Sequence, residues 1–180
     1  FNSLNSIQYF ISNDENAKAM QYLRKFSELI RANLNSTTQP ILTLGEEIEY
    51  LKKYIVLENA RFEDRVKVSL KVDPQLSETE TVIPTMILQP FVENVFVHAF
   101  PARITDPILE ICFSKIDGEC YCCTITDNGI GRASLDKNKR HVSRGTHLVE
   151  ERLSFLGYDT SKALKINHSA VGTIVNLYLE

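Results

Sequence analysis

Apolar residues in the first part of the chain recur at intervals of three and four, which is the period of an amphipathic helix. Leu4, Ile7 and Ile11 mark a first helix, and the pattern predicts that a second helix begins near Ser12. A hairpin of two helices cannot bury an apolar stripe alone, so the globular domain or a second copy must cover it. The stripe of the second helix comprises Met20, Leu23, Phe26, Ile30 and Leu34.

A third helix is predicted after the polar segment 35–40. Thr43 and Glu46 have the spacing of a capping box, in which two side chains satisfy backbone amides at the start of a helix. The apolar pattern extends this helix to about Phe62. Its predicted inward positions are Leu44, Ile48, Leu51, Ile55 and Phe62.

The apolar period changes from helical to alternating after Phe62, which indicates strands. Two further helices are predicted at about 84–99, with Pro90 inside or dividing it, and at 146–157. This order of elements indicates an α+β fold with a largely antiparallel sheet. The predicted strands cover about 66–72, 107–116, 119–126, 163–168 and 173–179.

The composition is that of an ordinary globular protein, with 43% hydrophobic and 24% charged residues. The formal net charge of -3 gives no general attraction for nucleic acid or anionic membranes, so any anion site must be local. No run of about 18 apolar residues predicts a membrane span. The cysteine spacing fits neither zinc knuckles nor a disulfide framework, and we interpret these residues as structural thiols in a reducing cytoplasm. They are Cys112, Cys120, Cys122 and Cys123.

The first candidate for chemistry lies in the predicted helix 84–99. Asn94 and His98 are four residues apart and share a helix face, and Glu93 precedes Asn94. An amide oxygen suits Mg²⁺, which takes few protein ligands while it bridges phosphates, and His98 is placed to donate to a phosphate oxygen. A surface helix with ordinary packing would explain the same residues.

The second candidate is the D-N-G-I-G segment that directly follows a predicted strand. Asp127, at the strand end, is suited to accept a hydrogen bond from an exocyclic amine such as that of adenine. Gly129 and Gly131 would let the backbone approach a flat ring and reverse direction. A plain Asx turn is the alternative, because D-N-G is a strong turn signal by itself.

The third candidate is a basic loop over 132–145 that leads into a helix beginning at Gly145 and Thr146. A mobile cationic loop that ends on a helix N-terminus is a suitable lid for a triphosphate, and a solvated charge run is the alternative. Thr173, in the last strand, is placed to buttress the site or simply to favour the strand. The cations of the loop are Arg132, Lys137, Lys139, Arg140 and Arg144, opposed by Asp136.

The order of these segments resembles the GHKL-type (Bergerat) ATPase domain, and within that superfamily the LytS-type sensor histidine kinases. Those kinases typically read H-F-L-F-N-x-L-N at the phosphoacceptor helix, and this chain begins F-N-S-L-N-S-I. Their L-Q-P-x-V-E-N-x-x-x-H segment matches residues Leu88 to His98 of this chain. A third match, to a Y-x-x-x-E-x-x-R-F-like linker ending, is carried by Tyr54, Glu58, Arg61 and Phe62.

The resemblance implies a truncated phosphoacceptor and dimerisation hairpin over 1–40, a linker helix over 41–63 and an ATP-binding sandwich over 64–180. It implies Asn94 as the Mg²⁺ ligand, with Glu93 beside it in the catalytic machinery, and Asp127 as the adenine-binding acid. The remaining residues expected to bind ATP are His98, Gly129, Gly131, Arg140, Gly145, Thr146 and Thr173.

The chain departs from the family pattern at two places near the expected phosphates. The second glycine box usually reads G-x-G-L, whereas only Gly145 survives here, and Val97 replaces a common lysine. No histidine precedes His98, and by register the acceptor would lie three residues before Phe1. We therefore expect a fragment that binds ATP but does not phosphorylate itself.

The function implied is phosphorylation of a histidine by MgATP, followed by transfer to an aspartate of a response regulator. The expected partners are ATP, a second copy and the regulator, without direct contact to nucleic acid. The chain is expected to be the cytoplasmic portion of a membrane-anchored bacterial sensor, anchored only through upstream parts. Two alternatives are a serine kinase of the anti-sigma type and a degenerate ATP-sensing or dimerisation module.

Overall fold

The N-terminal hairpin is present in the computed structural model, which describes residues 2–36, 39–100, 104–131 and 144–180. Helix α1 (Asn2–Ser12) and helix α2 (Asn16–Ser36) are joined by a tight turn. The prediction that α2 begins near Ser12 is wrong, because Ser12 ends α1. The chain reverses at Asp14, which has a φ of 59°, and the Glu15 amide donates to the carbonyl of Phe10 at 2.8 Å.

The apolar stripe that predicts α2 lies mostly on the outer side of the hairpin. Met20 is 68% exposed and Leu34 is 65% exposed, whereas Tyr22 is 2% exposed. Helix α2 packs against the third helix through the other side, so the globular part of the chain does not cover the stripe. The buried apolar positions of the hairpin are Phe10, Ala19, Tyr22 and Leu29.

Helix α3 (Leu44–Arg61) occupies the position predicted for the linker helix, the name kept for it below, and its predicted capping box is confirmed. The Glu46 amide donates to the Thr43 hydroxyl at 3.2 Å, and the Thr43 amide donates to the Glu46 carboxylate at 2.9 Å. Just before α3, strand β1 (Ile41–Thr43) pairs with strand β3 (Val82–Pro84), a contact that the sequence pattern did not predict. The predicted inward residues Leu44, Ile48, Leu51 and Ile55 are buried, and Phe62 is partly buried.

Among the described residues, the main sheet has five strands in the order β2-β4-β5-β7-β6. Three of its four pairings are antiparallel, whereas β2 and β4 run parallel. All five predicted strands are confirmed within one or two residues at each end. They are β2 (Lys67–Val72), β4 (Ile108–Asp117), β5 (Cys120–Asp127), β6 (Leu164–Ser169) and β7 (Gly172–Leu179).

The helix predicted from 84 begins later than expected. Helix α4 (Gln89–Asn94) continues directly as a π-helical turn, Val95–Ala99. Pro90 explains the later start, because a proline lacks an amide hydrogen and has a fixed φ that suits the first turn of a helix. The domain is completed by α5 (Arg144–Phe155) and a short α6 (Thr160–Ala163).

The core lies between one face of the sheet and the helices. Alternate residues of β4 and β5 are buried on this face, including Leu109, Phe113 and Tyr121. Layers of helix on a mostly antiparallel sheet make this an α+β sandwich, as predicted. The four cysteines are free thiols, and none of the described helices is long and apolar enough to cross a bilayer.

Candidate functional site

Asp127 ends strand β5 as a buried carboxylate with 5% exposure. Its Oδ1 atom accepts a hydrogen bond from the Gly129 amide at 2.8 Å. Thr173 lies directly opposite on β7, where its amide and its hydroxyl also donate to the carboxylate. Three of the candidate residues, Asp127, Gly129 and Thr173, therefore lie in one hydrogen-bond network.

Burial dominates the electrostatics of this carboxylate and raises the pKa of Asp127, while the hydrogen bonds from Gly129 and Thr173 oppose the rise. His168, on β6, extends the network, since its Nδ1 atom lies 3.3 Å from the Thr173 hydroxyl. A carboxylate has about four lone-pair positions, so these donors orient it and leave it able to accept from a ligand. A fixed acceptor at a strand end is suited to an exocyclic amine.

Gly129 brings the loop after β5 against the end of the π-helical turn. A side-chain carbon at Gly129 would overlap the carbonyl oxygen of Ala99, and the neighbouring Ile130 amide donates to that oxygen at 3.0 Å. Because His98 immediately precedes Ala99, the first and second candidate segments adjoin each other. This contact requires glycine for reasons of space rather than of backbone angle.

The nucleotide helix, which we define as α4 with its π-helical turn, carries three candidate side chains. Asn94 is half-buried at the end of α4, and Glu93 and His98 are exposed. π-helical turns occur frequently at functional sites. Among the described residues no group of three or more His, Cys, Asp or Glu side chains is placed to hold a metal ion. A lone amide oxygen from Asn94 fits Mg²⁺ only where phosphates and water complete the coordination.

Glu93 acts electrostatically on residues of the linker helix, α3. Burial raises the pKa of Glu58 on α3, Arg61 opposes this rise, and the charge of Glu93 adds to it. Burial and the charges of Glu58 and Glu93 also raise the pKa of Tyr54. Glu93 therefore lies within electrostatic reach of the linker helix, whereas the segment after Asn94 contacts the Gly129 loop.

The third candidate segment is described only in part. Gly145 and Thr146 lie in the first turn of α5, Thr146 is 7% exposed, and α5 packs against α4. Arg140 and the other lid cations at 132–140 lie outside the described residues. The structure thus places the helix that follows the lid beside the nucleotide helix, and the role of the lid stays a prediction.

Two polar residues of this region, Asn128 and Glu47, have structural roles that were not predicted from the sequence. Asn128 holds the start of β4, because its Oδ1 atom accepts from the Ile108 amide at 2.7 Å and its Nδ2 atom donates to the Asp106 carbonyl at 2.9 Å. Glu47 is completely buried on α3. Its signal was present in the pattern, since position 47 lies three residues after Leu44 and four before Leu51 on the apolar stripe.

The two glycines Gly131 and Gly118 offer a matched test of the loop. Their φ angles are 57° and 55°, but a side-chain carbon at Gly131 would overlap the Ser169 carbonyl, whereas nothing lies within 4 Å at Gly118. We expect Gly118→Ala to cost about 1 kcal/mol of unfolding free energy from backbone strain alone. Gly131→Ala should cost a further ~1–3 kcal/mol from overpacking. Urea unfolding measures both, and equal losses would contradict the close approach.

Comparison with protein families shows a match to the histidine kinase family over residues 1–66. The sensor protein LytS of Staphylococcus haemolyticus is 30% identical over 190 aligned positions, which cover 99% of this chain and 31% of that protein. The sensor protein LytS of Bacillus subtilis is 34% identical over 131 positions, which cover 73% of this chain and 21% of that protein. The chain thus spans about a third or less of the length of these relatives.

Comparison with solved structures supports the same fold. The histidine kinase domain of a blue-light activated histidine kinase from Erythrobacter litoralis superposes with a TM-score of 0.57 and 17% sequence identity. The match covers 94% of this chain and 82% of that domain. At this identity the similarity concerns the fold, and it includes the hairpin as well as the sandwich.

Proposed function

Because this chain belongs to the sensor histidine kinase family over the region that it spans, we propose that it binds MgATP and serves as the catalytic part of such a kinase. The reaction proposed is transfer of the γ-phosphoryl group of ATP to a histidine, followed by transfer to an aspartate of a response regulator. Whole-protein activity is part of the proposal, since the chain is a fraction of the length of its relatives.

The observation that carries the proposal is the arrangement around Asp127. A buried carboxylate at a strand end is oriented by Gly129 and Thr173, and the same loop touches the helix that bears Asn94. An adenine amine would donate to Asp127. Asn94, further along on the nucleotide helix, would hold the Mg²⁺ that accompanies ATP.

The chemistry requires positioning and charge neutralisation more than covalent participation by the protein. A histidine ring nitrogen bonds to the γ-phosphorus while the bond to the β,γ-bridging oxygen breaks and ADP leaves. Mg²⁺ would neutralise charge on the phosphates. We assign Arg140, His98 and the first turn of α5 at Gly145 and Thr146 to the phosphate groups.

The acceptor and the second copy complete the proposal. The sequence contains 4 histidines, at 98, 141, 147 and 168, and we infer that none of them is the acceptor. A homodimer is supported by the exposed stripe of the hairpin, because α3 covers the opposite face of α2. The exposed apolar residues of the hairpin include Leu4, Ile11, Met20, Leu23, Ile30 and Leu34.

Labelling with γ-labelled ATP tests the function. We expect the 180-residue chain to bind MgATP without labelling itself, and a longer protein extended by a phosphoacceptor segment with a histidine to become labelled. Treatment with acid should remove the label, because phosphohistidine is acid-labile, whereas phosphoserine from a serine kinase would survive. Asn94→Ala should abolish labelling of the longer protein. Labelling that persists in both Asn94→Ala and Asp127→Asn would refute the proposed site.

A further inference from the structure

Glu47 is a completely buried carboxylate that the proposed phosphoryl transfer does not use. Its Oε2 atom accepts a hydrogen bond from the Met86 amide at 3.0 Å, and the Leu88 amide also stabilises the carboxylate. Its Oε1 atom has no close hydrogen-bond partner among the described residues. A buried carboxylate that is only partly satisfied costs stability, so its presence calls for a physical reason.

The segment that Glu47 contacts is the turn immediately before the nucleotide helix. Met86 has a φ of 55°, a left-handed conformation that costs energy for a residue with a side chain. Thr85 is buried, its hydroxyl donates to the Gln39 carbonyl at 2.6 Å, and its amide donates to the Pro40 carbonyl at 3.1 Å. The strained turn is therefore held by the chain around the linker helix.

Helix α4 cannot fix this turn by itself. It is 6 residues long, and its N-cap residue, Leu88, makes no side-chain capping hydrogen bond. The carboxylate of Glu47 accepts from the amides of Met86 and Leu88, which lie in the segment that leads into α4. A side chain of α3 therefore fixes the residues from which α4 starts, and α4 has no side-chain cap of its own.

Tyr50 adds a second contact one turn further along α3. Its hydroxyl donates to the Gln89 side-chain oxygen at 3.0 Å, and the Asn33 side-chain amide donates to the same hydroxyl at 3.5 Å. Gln89 is the first residue of α4, and Asn33 belongs to the hairpin. A path of side-chain contacts therefore joins the hairpin, the linker helix and the nucleotide helix.

The groups that face Glu47 come from three elements. Tyr50 lies on α3 itself, Tyr121 and Cys123 lie on β5, and Arg152 lies on α5. Arg152 is the cation of this set and favours the ionised carboxylate. Since α5 is the helix that follows the lid, Glu47 interacts both with the segment that leads into the nucleotide helix and with a cation of α5.

We propose that Glu47, assisted by Tyr50, is a positioning residue that sets the start of the nucleotide helix and thereby places Asn94 for MgATP. The inference rests on the proposed ATP site. Hydrogen bonds from Glu47 and Tyr50, in addition to apolar packing, connect α3 to the turn at 85–88 and to the start of α4. A movement of the hairpin that shifts α3 would therefore shift this turn and change the affinity for the nucleotide.

The test measures the dissociation constant of MgATP by calorimetry on the 180-residue chain, from pH 6 to pH 8. We expect Glu47→Ala to weaken binding about tenfold, and Glu47→Gln, which keeps an acceptor oxygen, to weaken it about threefold. Wild-type affinity should rise with pH relative to Glu47→Gln, because the ionised carboxylate holds the amides more tightly. Glu49→Gln is the matched control on the exposed side of α3 and should bind as wild type does.

Hydrogen exchange without nucleotide gives a second measurement. The amides from Met86 to Asn94 should exchange faster in Glu47→Ala than in the wild type, and at the wild-type rate in Glu49→Gln. Wild-type affinity and exchange in a folded Glu47→Ala would overturn the inference and leave the ATP site standing. If Glu47→Ala does not fold, parallel pH profiles for Glu47→Gln and wild type overturn it instead. Failure of the wild-type chain to bind MgATP would overturn the proposed function itself.

Discussion

Replacing Asp127 with asparagine is expected to weaken MgATP binding about 100-fold, or ~3 kcal/mol, while the chain stays folded. The asparagine oxygen can still accept from the Gly129 amide, which lies 2.8 Å from Oδ1 in the wild type. Its amide nitrogen would then occupy the second carboxylate position as a donor. A donor at this position cannot accept from the Thr173 groups or from the adenine amine, so favourable contacts of the carboxylate become unfavourable.

The measurement is calorimetric titration with MgATP, and the control is Asp117→Asn. Asp117 ends β4 at the hairpin with β5, is exposed, and lies at the opposite end of β5 from Asp127. The control should bind MgATP as the wild type does. Binding by Asp127→Asn within a factor of about three of wild type would show that Asp127 is not the base-recognising acid.

Local patterns predicted most of the secondary structure because these elements are specified by nearby residues. Alternation of apolar side chains identified β4 and β5, whose inward residues pack on one helix layer. The capping box identified the start of α3, since Thr43 and Glu46 contact each other within one turn. In both cases the deciding interactions lie within a few residues of each other or repeat along one face.

Elements that depend on distant partners were not predictable in the same way. Strands β1 and β3 have 3 residues each, and pairing across about 40 positions is what makes them strands. Pro90 favours the point at which α4 starts, but the segment before it was predicted as helix because the pairing of β3 with β1 and the strained turn at Met86 depend on distant residues. Apolar periodicity carries no information on which segments meet.

The apolar stripe of the hairpin shows that periodicity identifies an apolar helix face but does not show which surface packs against it. From the sequence, either the globular domain or a second copy could cover the stripe. In the structure α3 packs against the Tyr22 side of α2, and the stripe that includes Met20 and Leu34 remains exposed. An apolar surface on a helix that already has a partner on its other side favours the second copy.

The residues of the candidate site also differ according to whether their partners are near or distant in the sequence. Asp127, Gly129 and Thr173 were predictable because the D-x-G-x-G spacing lies within one turn and Thr173 falls in a recognisable strand. Glu47 was not, because its partners are backbone amides some 40 residues away, which leave no trace in side-chain type. An acid on an apolar stripe is the one local sign of such a contact.

Glu47 should also control how the stability of the chain depends on pH. Burial raises the pKa of Glu47 from 4.5 to about 7 in the folded chain, against the opposing effects of the Met86 and Leu88 amides and of Arg152. The folded state therefore binds this proton more tightly than the unfolded state does. Stability from this group is fully present below pH 4.5 and is lost as the pH rises through about 7.

Relative to Glu47→Gln, which cannot ionise, the wild type should lose about 3 kcal/mol of unfolding free energy between pH 4.5 and pH 8. Urea unfolding of both proteins at intervals of half a pH unit measures the difference in their unfolding free energies. The contributions of the other carboxylates are common to both proteins and cancel in this difference. Glu49→Gln should follow the wild-type curve closely, because Glu49 is exposed. Parallel curves for wild type and Glu47→Gln would contradict the raised pKa of Glu47, because they would mean that the buried carboxylate ionises at little cost. A difference in unfolding free energy that grows with pH would support it.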